Sequence, residues 1–418
     1  MTAIDTGVMG ELAYTEKLPN GLAVFVMKKP GFQKKAGMLA VNYGSDHIML
    51  PGAGAEAAPA GVAHFLEHKM FDMPDGRNVL QVYGELGASP NAFTSHSMTA
   101  YHFEATERFG ECLELLLDFV YTPYYTPESV EKERGIIGQE LSMYRDMPGM
   151  RLFEELLALT YVKHPVRLPI GGTHASVAEI TARTLYDCHS AFYAPANMVL
   201  CAAGDVEPDE IVEMAARISP DRASERYIMP ETGEPDCVGG LELTVDMDVP
   251  LPLFGIAVKL RRPDGVSRLE WETLIKLASE CLAGMSSPLY SELYEDGLID
   301  GAFGFDPFMF DGGSCLLFTG QSREPDAVRG RLLTEARRLS ADGIPAELFE
   351  RVKRSCWGAR MRILDAPLDY SRQVAARYLA GEDFFWLPGI FARAGAGAAA
   401  GVLRRITEEN TAIVRITR

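Results

Sequence analysis

Two of the eight histidines in this chain stand four residues apart with a glutamate between them, in the run His64-Phe65-Leu66-Glu67-His68. On a helix, positions i and i+4 share a face, so both imidazoles can turn toward one metal ion. Glu67 projects beside that face, close enough to hold an attacking water without taking a coordination position. Zinc hydrolases divide the labour in this way: a few side chains hold the ion, and a separate carboxylate takes the proton from water. Two neutral histidines and one carboxylate form a common ligand set, so a third ligand has to be found. Glu140 is the best candidate. It sits beside an apolar helical stripe of Ile136, Ile137, Leu141 and Met143. Glu133, two helical turns earlier and on nearly the same face, is placed to orient a ligand histidine. The other reading of these two glutamates is a charged, solvated helix face.

The elements that would carry these residues can be read from periodicity. Gly61–Phe71 reads as a helix, with Val62, Phe65, Leu66 and Phe71 as its packing positions, and Pro127 opens a second helix reaching Arg145. Apolar runs flank Pro19-Asn20-Gly21, a turn signal for a hairpin. Strands are expected at 37–43, 92–94, 99–105 and 198–203, and helices at 78–86, 108–120, 150–161 and 181–192. The second half repeats that order: strands at 253–258, 302–305, 314–318 and 411–416, and helices at 268–282, 288–293, 325–339 and 345–363. Such blocks predict an α+β protein of two homologous domains, each a mainly antiparallel sheet covered by helices. The expected boundaries are 1–222, a Pro-, Gly- and Glu-rich linker at 223–240, and 241–418. The low-complexity run Arg393–Gly401 reads as a loop entering a helix.

Composition narrows the partners. With 40 Lys and Arg against 58 Asp and Glu, the net charge is −18, and no basic block offers a phosphate-binding surface, so no nucleic-acid partner is expected. Apolar residues at 47% and charged residues at 23% are globular values. The seven cysteines are scattered and never paired as Cys-x-x-Cys, which fits free thiols in a reducing compartment. Residues 1–14 lack the pattern of a secretory signal, and no apolar run is long enough for a membrane span. The expectation is a cytoplasmic protein.

The run His64–His68, followed 72 residues after His68 by Glu140, resembles the pitrilysin/insulinase family of zinc peptidases and its inverted His-x-x-Glu-His motif. Further matches are Leu18-Pro-Asn-Gly-Leu22, Asn42-Tyr-Gly-Ser45, Gly87–Thr94, His164-Pro165 and Phe192–Leu200 ahead of Gly204-Asp205. Ala63–Phe71 together with Glu133–Glu140 is most similar to a bacterial branch associated with elongation factor P modification, whose related heterodimers mature ribosomally made peptides. The resemblance implies one zinc ion per chain on His64, His68 and Glu140, Glu67 as general base, and Glu133 behind a ligand histidine. It also implies that Asn91, Ala92 and Phe93 form a sheet edge where a peptide substrate docks as an added strand. Asn91 also reads simply as a turn residue after Pro90.

The second half departs from the family pattern. Many members carry an Arg and a Tyr there that clamp the scissile carbonyl. In Ser287–Asp300, Tyr294 stands where the Arg is expected, and Asp300 or Gly301 where the Tyr is expected; Gly358 stands near the position equivalent to Glu140. The expectation is therefore the catalytic half of a heterodimer whose homologous, metal-free partner supplies the clamp. A homodimer remains open if Tyr294 contacts substrate in place of the missing groups. The function expected is zinc-dependent endoproteolysis of unfolded precursor or leader peptides. The alternatives are a homodimeric housekeeping oligopeptidase and a non-catalytic scaffold that retains the fold.

Overall fold

The computed structural model describes residues 1–8, 10–50, 57–222 and 225–418. Seven strands build the first sheet: β1 (Thr2–Ile4), β2 (Leu12–Lys17), β3 (Ala23–Lys28), β4 (Lys35–Val41), β5 (Ser89–Thr94), β6 (Thr99–Ala105) and β7 (Met198–Gly204), in the order β1-β2-β3-β7-β4-β6-β5. Every described pairing in it is antiparallel except β3 with β7. The β2–β3 hairpin closes at the expected Asn-Gly turn. Gly21 has φ 93°, and a Cβ there would stand 2.6 Å from that of Ala196, so only glycine fits.

The helices of the first half are α1 (Val62–Lys69), α2 (Val79–Leu86), α3 (Phe109–Tyr121), α4 (Pro127–Arg145), α5 (Pro148–Thr160), α6 (His174–Ala178), α7 (Ala182–Phe192) and α8 (Pro208–Ile218). One face of the sheet supplies Val24, Val26, Leu39, Val41, Tyr101, Phe103 and Leu200 to a core shared with Phe65 and Leu66 of α1, Leu113 and Leu117 of α3, and Leu185 and Phe192 of α7. Each such side chain, buried completely, is worth about 1.5–3 kcal/mol. That packing fixes α1 and its histidines against the sheet.

The second sheet contains β8 (Glu242–Asp246), β9 (Leu253–Lys259), β10 (Gly304–Phe310), β11 (Gly313–Gln321) and β12 (Thr411–Thr417), in the order β10-β11-β9-β12-β8. Only β8 and β12 run parallel among its described pairs. The helices of the second half of the sequence are α9 (Arg268–Ala283), α10 (Pro288–Glu295), α11 (Pro325–Asp342), α12 (Ala346–Ile363), α13 (Pro367–Leu379), α14 (Leu387–Arg393) and α15 (Ala396–Leu403). The architecture is the expected one: two α+β units, each with a mainly antiparallel sheet and helices. No described helix is long and apolar enough to cross a membrane.

The two compact units are not contiguous in sequence. One comprises Met1–Leu141, Pro169–Met229 and Met361–Pro388; the other comprises Ser142–Leu168, Pro230–Arg360 and Gly389–Arg418. The cause is a reciprocal exchange of helices. Leu152, Leu156 and Leu157 of α5 are buried with Ala257, Leu317 and Val414 of the second sheet, whereas α13 packs on β4 and β7 of the first. The segment expected to be an exposed linker is also anchored where it is described. Tyr227 packs edge-on against Phe192 at 5.0 Å, and Glu234 accepts the backbone N–H groups of Val162, Lys163 and His164.

Candidate metal centre

The helix carrying His64 and His68 begins at a tight backbone crossing. Gly61, at φ 92°, caps α1, and a Cβ on it would stand 2.4 Å from the carbonyl oxygen of Gly171. Gly172, at φ 73°, leaves the same lack of room against the carbonyl oxygen of Ala60, at 2.3 Å. Ser176 Oγ donates to that Ala60 carbonyl at 2.8 Å, and His174 Nε2 donates to the carbonyl of Gly138 on α4 at 3.0 Å. The segment 169–176 therefore ties the start of α1 to the helix bearing Glu140. Past His68, Lys69 is buried and forms an ion pair with Asp72.

Three side chains converge. One ligand atom each from His64, His68 and Glu140 lie within 4.8 Å of one another. Nε2 of His68 is 3.5 Å from Glu140 Oε2, and Nε2 of His64 is 3.8 Å from the same oxygen. Nδ1 of His68 faces Glu133 Oε1 at 3.0 Å. With the proton of His68 on Nδ1 and directed at Glu133, the lone pair of Nε2 points into the gap. Nδ1 of His64 is buried without a hydrogen-bond partner, and its Nε2 is beyond hydrogen-bond reach of Glu140. Both Nε2 atoms face the same carboxylate oxygen at 3.5 and 3.8 Å, a spacing at which one ion could be held by all three atoms. Two imidazole nitrogens and one carboxylate oxygen suit zinc.

The local electrostatics separate the two histidines. Burial, reinforced by the neighbouring His68, pulls His64 down to about 4, so it is neutral at pH 7 with a lone pair to offer. Burial also pulls on His68, but the hydrogen bond to Glu133 and the charges of Glu140, Glu133 and Glu67 outweigh it and raise its proton affinity. Glu67 is raised by burial, partly offset by a hydrogen bond from Thr94 and by the nearby His68. A buried carboxylate with raised proton affinity is a stronger base than one in water.

The remaining sequence-predicted residues lie as follows. Asn91, Ala92 and Phe93 are on β5, which ends the strand order of its sheet. The register pairs Asn91 with His102 and Ala92 with Tyr101, so Ala92 shares the α1 face with Thr94, while Asn91 and Phe93 point to the opposite face. Asn91 Oδ1 accepts from the N–H of Ala92 at 2.9 Å. Tyr294 belongs to the other compact unit, where it is 56% exposed on α10 and stacked on Tyr290 with ring centroids 6.3 Å apart. Two features escaped the sequence reading. One is the glycine crossing at 61 and 171–172. The other is Thr94, whose only clue was its place at the end of the Asn91–Thr94 run.

Residues 52–174 match the sequence profile of the insulinase family, peptidase family M16, and residues 179–356 match the profile described as the peptidase M16 inactive domain. The uncharacterized zinc protease YmfH of Bacillus subtilis is 37% identical over 379 residues, covering 88% of this chain and 87% of that protein. An uncharacterized zinc protease of Mycobacterium leprae is 29% identical over 287 residues, covering 66% of this chain and 62% of that protein. The crystal structure of a putative M16-like peptidase from Alicyclobacillus acidocaldarius superposes with a TM-score of 0.91 at 30% identity, covering 98% of this chain and 99% of that one. Two profiles along the chain, an extended relative above one-third identity and a near-complete structural match lead to one conclusion: this chain belongs to the M16, or insulinase, family of peptidases.

Proposed function

We propose that this chain is a zinc-dependent endopeptidase acting on unfolded peptides. One observation carries the reading: His64, His68 and Glu140 converge on a single point with Glu67 adjacent in the same helix. His64, His68 and Glu140 would hold the ion, and Glu133 would fix the orientation and tautomer of His68. A zinc ion held there supplies Lewis acidity toward the scissile carbonyl. Glu67, desolvated beside it, takes a proton from the attacking water and returns it to the leaving amine. The free edge of β5, at Asn91, Ala92 and Phe93, aligns an extended peptide through main-chain hydrogen bonds, which favours substrates by conformation rather than by sequence. The catalytic domain in this reading is the amino-terminal one, expected at 1–222, with 223–240 as connector and 241–418 as its metal-free counterpart.

The second half bears Tyr294 where the family pattern has a carbonyl-clamping Arg, which supports a working enzyme completed by a homologous partner subunit. The task in that case is maturation of a precursor or leader peptide, as in the elongation factor P-associated branch. Seven free thiols, six of them buried, support a cytoplasmic setting.

The test is metal analysis combined with hydrolysis of an unstructured peptide. Removal of the metal should abolish turnover and zinc should restore it. Glu67→Gln should keep its metal and lose about 10²–10⁴-fold in kcat. Turnover by the metal-free protein would overturn the metal assignment, and full activity of Glu67→Gln would overturn the base assignment. Full activity of the isolated chain would remove the need for a partner.

A further inference from the structure

Glu67 has one hydrogen-bond partner for its carboxylate among the described residues, and that partner comes from a different element. Thr94 Oγ1 donates to Glu67 Oε2 at 2.6 Å. That separation lies within the range of about 2.5–2.7 Å typical of a hydroxyl bonded to an ionised carboxylate. Glu67 is 8% exposed, so little solvent competes for the bond.

The donor is rigidly held. Thr94 is the last residue of β5 and pairs across the hairpin with Thr99, the first residue of β6. Below it the turn closes on itself: Ser95 N–H donates to the Met98 carbonyl at 2.8 Å, and Met98 N–H donates to Ser95 Oγ at 3.1 Å. A hydroxyl has one hydrogen to give. Thr99 has committed its own to the Tyr43 carbonyl at 2.9 Å, and its oxygen is 3.3 Å from Thr94 Oγ1. The Thr94 hydrogen therefore has two acceptors within reach. The charged one, 0.7 Å nearer by those distances, takes it. Branching at Cβ stiffens the Thr94 rotamer, so the direction of the bond is fixed as well as its existence.

We propose that Thr94 is a positioning residue for Glu67: its hydroxyl occupies Oε2, fixes the plane of the carboxylate, and leaves Oε1 as the oxygen that accepts the proton during catalysis. The inference rests on Glu67 being the general base. A glutamate has three side-chain torsions, and a base that must meet a water at hydrogen-bond distance loses rate when its carboxylate samples other planes. The α1 helix sets the position of the Glu67 backbone, and the β5–β6 hairpin sets the direction of its carboxylate. The strand end that aligns the substrate backbone thereby also orients the base, so substrate and base are referenced to the same hairpin.

The experiment compares Thr94→Val, which keeps the shape and removes the donor, with Thr94→Ser, which keeps the donor, using Glu67→Gln as reference. We expect Thr94→Val to lower kcat about 10–100-fold with KM within about twofold and zinc content unchanged, and Thr94→Ser to recover most of the loss. A second readout uses the metal-free protein. Thr94→Val should lower the urea midpoint in the Glu67 background and leave it unchanged or raised in the Glu67→Leu background, because the hydroxyl there has no carboxylate to serve. If Thr94→Val does not fold, Thr94→Ala takes its place in both measurements. An unchanged kcat in the valine variant, with Glu67→Gln inactive, overturns the inference and leaves the endopeptidase reading standing. Loss of zinc in the valine variant, or a serine variant as impaired as valine, also overturns it. Full activity of Glu67→Gln sinks the underlying reading instead, and additive urea midpoints in the metal-free protein would show that the two side chains are not coupled.

Discussion

Nδ1 of His68 meets Oε1 of Glu133 at 3.0 Å, while Nε2 of the same ring faces Oε2 of Glu140 at 3.5 Å. The two glutamates are seven residues apart on α4, two turns of one helix, so a single rigid element addresses both nitrogens of one imidazole. The contact with Glu133 sets the plane of the ring and favours the tautomer with its proton on Nδ1.

Replacing Glu133 by Gln keeps the shape and removes the charge. We expect zinc affinity to fall about 10–100-fold, as is usual when a hydrogen-bond acceptor behind a ligand histidine is altered. Competition against a chromophoric chelator measures this. The melting temperature of the metal-free variant should stay near that of the parent, and an unchanged affinity would show that the contact does not support the ligand.

The three glycines at the crossing should respond differently to alanine. At Gly171 a Cβ would stand 2.8 Å from Leu141 Cδ2 and 3.6 Å from His64 Nδ1, so a flexible side-chain end has to yield. At Gly61 and Gly172 the obstacles are backbone carbonyls at 2.4 and 2.3 Å, and both residues have positive φ. Gly171→Ala should cost about 1 kcal/mol, and Gly61→Ala and Gly172→Ala at least about 2–3 kcal/mol each. Denaturant unfolding of the metal-free proteins gives the ranking, and equal losses at all three sites would refute it.

Glu234, in the compact unit that holds none of the candidate ligands, supplies a pH dependence of its own. Burial alone would raise its proton affinity, but Lys259 at 2.6 Å and three backbone N–H groups outweigh it and bring its pKa from 4.5 down to about 2. A depressed carboxylate contributes stability that is complete above its unfolded value and is lost as pH falls from about 4.5 through about 2. Glu234→Gln should cost about 1–2 kcal/mol at neutral pH after allowance for solvent screening. The gap between the parent and the variant should narrow as the medium is acidified through that window. A gap that stays constant with pH would mean that the charge of Glu234 contributes nothing.

Leu156 of α5 is fully buried, in the core of the second sheet. Leu156→Ala should destabilise by about 2–5 kcal/mol through lost burial and a residual cavity. Zinc affinity should be retained, because every candidate ligand lies in the other compact unit. Calorimetry and metal titration on one preparation decide both points.

Local chemistry made much of this molecule legible. Pro127 marks the first residue of α4, and Arg145 its last, as the pattern predicts. Asn78 caps α2 by accepting from Leu80 N–H, and His64 and His68 share the predicted face. Contacts set by the tertiary fold stayed hidden. The leucine stripe of α5 announces a buried face but not which sheet buries it. Nothing in the spacing of Thr94 and Glu67, 27 positions apart, tells of their hydrogen bond. At 223–240 Pro, Gly and Glu signal an exposed segment, and Val238 alone of its described residues is buried, but composition does not tell that Tyr227 and Glu234 are held by aromatic packing and backbone donors.

The reciprocal exchange of α5 and α13 bears on how the polypeptide can be divided. A protease nick or a gene break near residue 235 would divide the chain into two fragments, each lacking a helix that its own sheet requires and carrying one that the other sheet requires. Expressed apart, such fragments would expose the leucine face of α5 or the apolar face of α13 and tend to aggregate. Expressed together, they would reconstitute by complementation, so a nicked preparation would migrate as one species until it was denatured.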